Sequence, residues 1–127
     1  MHSPPRILIV DDNETNRDIL LTRLSMHGYD LKQAVDGEDA LAAAKEHLPD
    51  LILLDVMMPK LDGIEVCKRL RADEALPFMP IILCTGYSDL IDEKKAREIG
   101  IREFVMKPYV VANFVQTIRK ALETEKI

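Results

Sequence analysis

Asp11, Asp12, Asp55, Thr85 and Lys107 are the side chains with the clearest capacity for chemistry, and each stands at the end of a short apolar run. Ile7-Leu8-Ile9-Val10 precedes Asp11-Asp12, Leu51-Ile52-Leu53-Leu54 precedes Asp55, and Ile81-Ile82-Leu83-Cys84 precedes Thr85. A weaker run from Arg102 to Met106 precedes Lys107. Three carboxylates gathered in one place repel each other unless a cation joins them. An all-oxygen set with few carboxylates and room for water suits Mg²⁺. A lysine is a compact cation that pairs with carboxylate or phosphate oxygens. A threonine hydroxyl donates one hydrogen bond to the same oxygens. Together these groups form a kit for phosphoryl transfer: a carboxylate attacks, and cations and donors neutralise the transferring group. Each piece also has a plain reading: a loop for Asp11-Asp12, a helix cap for Asp55, a surface charge for Lys107. Their shared location decides for chemistry, and that location depends on the elements.

The apolar runs are short, continuous and rich in branched residues, as strands buried on both faces are. Tyr29 to Ala34 and Arg102 to Met106 are weaker strands. Between them lie stretches with helical spacing. Ile64, Cys67 and Leu70/Arg71 recur at i, i+3 and i+6/i+7, Val111, Val115, Ile118 and Leu122 recur at i, i+4, i+7 and i+11, and Ala40, Leu41, Ala44 and Leu48 form a small-residue stripe. Asn13 or Glu14 opens the first helix and Gly28 follows its end. Pro49-Asp50 stops the second helix, Gly63 precedes the third and Gly100 ends the fourth. The order is β-α repeated five times, so the strands are parallel, with right-handed crossovers. The fold that fits is α/β: a doubly wound, flavodoxin-like, five-stranded parallel sheet of order 2-1-3-4-5 with five helices. In such sheets ligands bind at the carboxyl ends of the strands, near the point where strand order reverses. The three aspartates, Thr85 and Lys107 all fall on that rim.

The 127 residues suffice for one domain with a proper core. Hydrophobic residues are 47% and charged residues 31%, the balance of a soluble globular protein. Lys and Arg number 17 against 22 Asp and Glu, a net charge of −5. An acidic domain is a poor candidate for nucleic acid or an anionic membrane. No run approaches the roughly 18 apolar residues of a membrane span, and the first residues lack the blocks of a signal peptide. Cys67 and Cys84 stand far apart in apolar surroundings and read as reduced core thiols of a cytoplasmic protein. His2, His27 and His47 are scattered and read as solvated surface groups. The domain is expected over 6–123, between a flexible tail at 1–5 and a charged tail at 124–127.

The sequence resembles the receiver domains of bacterial two-component response regulators (CheY-like domains), from about Arg6 to Leu122. The likeness rests on Ile7-Leu8-Ile9-Val10-Asp11-Asp12, Leu51-Ile52-Leu53-Leu54-Asp55-Val56-Met57-Met58-Pro59, Asp62-Gly63, Thr85-Gly86 and Phe104-Val105-Met106-Lys107-Pro108. It implies that Asp55 accepts a phosphoryl group from the phosphohistidine of a histidine kinase or phosphotransfer protein. It further implies that Asp11 and Asp12 hold Mg²⁺ with Asp55, and that the backbone carbonyl of Met57 completes the metal site. Thr85 matches the switch hydroxyl, Lys107 the lysine that pairs with phosphoryl oxygens, and Phe104 the aromatic switch. Pro108 matches the proline that follows a cis bond. A downstream effector protein or domain would read the face made by the fourth helix, fifth strand and fifth helix, through which receivers also form homodimers. Contact with nucleic acid or membrane is not expected of this domain.

Met57 and Tyr87 flank the path of water to the phosphoryl group in this family pattern. Both are bulky and neither is a good water-orienting acid, so Mg²⁺-dependent self-phosphorylation is expected to be followed by slow self-dephosphorylation. Up to about Ile82 the chain resembles stand-alone or cyclase-linked receivers, and from Cys84 to Tyr109 those attached to hybrid kinases. Family drift and a recombined or designed chain both account for the mixture. Other classes on this fold are an aspartate-nucleophile phosphatase, a nucleotide or flavin binder, and a receiver used for protein binding without phosphorylation. The first is disfavoured by Met57, which occupies the place of the second acid. The second is disfavoured by the absence of glycine-rich phosphate loops, and the third by the intact Asp11, Asp12, Asp55, Thr85, Lys107 set.

Overall fold

The computed structural model describes residues 4–55, 63–77, 79–85, 97–98, 103–106 and 111–124. Five strands, β1 (Arg6–Val10), β2 (Asp30–Ala34), β3 (Leu51–Asp55), β4 (Ile81–Thr85) and β5 (Glu103–Met106), form one sheet. Its order is β2-β1-β3-β4-β5, all parallel, as the alternation predicts. Helices α1 (Glu14–Ser25), α2 (Gly37–His47), α3 (Gly63–Ala72) and α4 (Val111–Thr124) accompany the sheet. The helix expected between β4 and β5 lies outside the described residues except for Arg97 and Glu98, both helical.

Side chains alternate across a strand, and this divides the interior into two cores. Leu8, Val10, Ile52, Leu54, Ile81 and Leu83 join Ala40, Ala44, Ile64, Val66, Cys67 and Leu70 of α2 and α3 on one face. Ile7, Ile9, Leu51, Leu53, Ile82 and Cys84 join Leu20 and Leu24 of α1 and Ile118, Ala121 and Leu122 of α4 on the other. Cys67 and Cys84 are buried in different cores and form no disulfide. The outermost strand β2 is different. Asp30, Lys32 and Gln33 are exposed, and Ala34 is its one fully buried residue.

The helix termini obey simple rules. Asn13 caps α1, its side-chain oxygen accepting from the Asn16 N–H at 3.0 Å. Asp36 caps α2 by accepting from the Asp39 N–H at 2.8 Å, while Asp39 accepts from the Val35 N–H at 3.0 Å, a reciprocal arrangement. Gly28 follows α1 with φ +78° and open space where a Cβ would lie. Gly28→Ala therefore tests backbone strain alone, and it is expected to lower stability by about 1 kcal/mol. The reading is a lower urea midpoint at unchanged slope.

Two expectations are corrected. The spacing of small residues predicts a stripe through Leu48, but Leu48 adopts a left-handed conformation (φ 50°) and is 39% exposed. The helix stops there, one residue before Pro49. His47 is half-buried rather than a solvated surface group, with its Nε2 shielded from solvent, and Arg6 Nη1 donates to its backbone carbonyl at 2.7 Å. The Arg6 N–H also donates to Asp50 Oδ2 at 2.8 Å, so the start of β1 is tied to the end of α2 and the approach to β3.

Candidate functional site

β1 and β3 end in step. Val10 pairs with Leu54, so the next residues, Asp11 and Asp55, follow side by side at the carboxyl ends of neighbouring strands. By the two-residue alternation both share the face of Ile9 and Leu53. Asp12 completes the group: one carboxylate oxygen from each of Asp11, Asp12 and Asp55 lies within 4.8 Å of the others. Asp11 is 1% exposed and Asp55 3%, while Asp12 faces solvent. Two buried carboxylates and a third beside them are a costly set in low dielectric without a counter-charge. An all-oxygen set of this charge fits a hard divalent cation.

The turn carrying the acid pair is held at several points. The Asp11 N–H donates to the Ala34 carbonyl of β2 at 3.2 Å. Asp11 Oδ1 accepts from the Asn13 N–H at 2.9 Å. Arg17 Nη1 donates to the Asp11 carbonyl at 2.7 Å, and Arg17 Nε donates to Gln33 Oε1 at 3.2 Å. The motif reading did not single out Arg17 or Gln33. The available signal was positional: Arg17 stands one helical turn beyond the cap Asn13, on the side of the acid pair.

The remaining rim residues come from β4 and β5. Thr85 ends β4, where its backbone pairs with Met106, the residue before Lys107. Phe104 pairs with Leu83 in the same ladder. Only the backbone of Thr85 and Phe104 is described. Lys107, Pro108, Met57 and Tyr87 lie outside the described residues. The structure thus unites Asp11, Asp12 and Asp55 and brings the strand end bearing Thr85 to the adjoining edge, with Phe104 two ladder positions back along β5.

Comparison with known proteins agrees with this arrangement. Residues 7–119 match the family model of the response regulator receiver domain. The chain is 40% identical over 124 residues to the DNA-binding dual master transcriptional regulator RpaA of a Synechocystis species, covering 97% of this chain and 52% of that protein. It is 36% identical over 119 residues to the polar-differentiation response regulator DivK of Brucella anthropi, covering 94% of this chain and 97% of that one. The chain thus spans about half the length of RpaA and nearly all of DivK. A putative response regulator from Chloroflexus aurantiacus superposes with a TM-score of 0.87 at 31% identity, covering 94% of this chain and 98% of that one. Among the described residues no helix is long and apolar enough to cross a membrane. This chain therefore belongs to the response regulator receiver domains, the phospho-acceptor signalling domains of two-component systems.

Proposed function

We propose that Asp55 is the phospho-acceptor and that Asp11, Asp12 and Asp55 form a Mg²⁺ site. The observation that carries this is the meeting of three carboxylates within 4.8 Å where β1 and β3 end. Asp11, Asp12, Asp55 and the Met57 carbonyl would hold the ion. Its charge, when bound, would offset repulsion between the carboxylates and the phosphoryl oxygens. A carboxylate oxygen of Asp55 forms the new O–P bond as the N–P bond of a phosphohistidine breaks, and the electron pair stays on the imidazole nitrogen. Lys107 and Thr85 then bind phosphoryl oxygens, Pro108 positions Lys107, and Phe104 occupies the space that Thr85 leaves. The added charge biases a two-state surface at β5 and α4.

The donor in this reading is a histidine kinase or phosphotransfer protein, and the reader is a downstream effector or a second copy docked at that surface. The receiver unit covers 6–123, has a fifth helix between β4 and β5, and works in the cytoplasm. The experiment is incubation with acetyl phosphate and MgCl₂ followed by intact-mass and peptide analysis. A gain of one phosphoryl group on Asp55 that EDTA prevents is expected. No gain, or a gain on another residue, defeats the assignment. Met57 and Tyr87 are further assigned as shields of the phosphoryl group. Met57→Asn and Tyr87→Ala are expected to shorten its half-life, measured by mass after donor removal, and unchanged decay in both variants removes the idea.

A further inference from the structure

We infer that Arg17 and Gln33 act as positioning residues for the cation site, setting its affinity without touching the ion. This rests on the reading of Asp11, Asp12 and Asp55 as a Mg²⁺ site. Arg17 is half-buried in the first turns of α1, and its guanidinium spans two acceptors. Nη1 donates to the Asp11 carbonyl at 2.7 Å, and Nε donates to Gln33 Oε1 at 3.2 Å on the exposed edge strand β2. The same turn is fixed at the Asp11 N–H by the Ala34 carbonyl and at Asp11 Oδ1 by the Asn13 N–H. Without Arg17 the Asp11 carbonyl loses a charge-assisted bond, and the peptide joining Asp11 to Asp12 is freer to rotate. That peptide sets the relative direction of two of the three carboxylates. Outer partners that orient ligands commonly govern metal affinity even though they make no bond to the metal.

The sign of the effect separates this role from simple electrostatics. A fixed cation near a cation site disfavours binding by charge alone, so losing Arg17 would then tighten it. Losing a positioning group weakens it.

The experiment titrates MgCl₂ into the metal-free chain by calorimetry, with thermal melts of each variant in EDTA. Arg17→Met is expected to weaken Mg²⁺ binding about tenfold. Arg17→Lys should fail to restore it, because one ammonium cannot present the guanidinium fork to both acceptors. Gln33→Ala should weaken binding in the same direction, and add nothing in the Arg17→Met background. Equal or tighter binding by Arg17→Met overturns the inference, as does a lowered melting temperature with unchanged Mg²⁺ affinity. If Arg17→Met fails to fold, Gln33→Ala on the exposed strand decides the matter. A wild-type chain that binds no Mg²⁺, or binds it as well after Asp12→Asn, overturns the metal reading and this inference with it.

Discussion

Asp55→Asn is expected to take up no phosphoryl group from acetyl phosphate and, in EDTA, to be more stable than the wild type. Both effects follow from one buried charge. Asn offers no anionic oxygen to form the bond to phosphorus, so uptake falls to the background of the assay. Asp55 is 3% exposed and shares the rim with Asp11 and Asp12 within 4.8 Å. Two charges at such a separation repel by about 3 kcal/mol at an effective dielectric of about 20. Contacts that partly compensate Asp55 are lost along with the repulsion, so the net gain is set at about 1–2 kcal/mol. Millimolar MgCl₂ should narrow or reverse the difference, because a ligand present at 100 times its Kd stabilises the binding form by about 2.7 kcal/mol. Intact-mass analysis and urea melts with and without MgCl₂ read all three effects. A variant that loses uptake and also loses stability in EDTA would point to general damage instead.

Leu53→Ala is expected to cost about 3 kcal/mol, a large share of the about 5–15 kcal/mol available to a domain. Leu53 is 1% exposed on the central strand β3, which is paired on both sides by β1 and β4. It shares its core with Ile9, Leu20, Ile82 and Ile118, drawn from two other strands and both helices of that face. Walls held by two ladders cannot collapse into the space the side chain leaves, so most of the cavity persists. Met26→Ala, at a residue 78% exposed beyond the end of α1, should stay within about 0.5 kcal/mol. Urea midpoints for the pair measure the contrast, and equal midpoints would refute the placement of this core.

The sequence was most legible where one physical rule acted alone. β1, β3 and β4 are covered by helices on both faces, and their unbroken apolar runs announced them. β2 lies at an edge, where burial is partial, and its mixed pattern gave a weaker signal that was still placed correctly. The acid cluster was legible because strand order and the in-step ends of β1 and β3 converge on it. The stop of α2 was not, because Leu48 carries no mark of a left-handed cap and Pro49 drew the boundary onto itself. Arg17 was missed because its partners, the Asp11 carbonyl and Gln33, are 6 and 16 residues away. Only folding defines such a bridge, since the carbonyl leaves no trace in residue type.

The polarity of β2 also bears on how crowded copies of this chain behave. An edge strand offers unpaired backbone groups to any other edge, and a bare apolar one seeds aggregates. Two copies laying β2 antiparallel and centred on Lys32 would set one lysine against another, a like-charge pairing that disfavours the contact. Leu31 would then face Gln33, and Asp30 would face Ala34. In that register the side chains of β2, which add little to the two cores, oppose pairing of one edge with another.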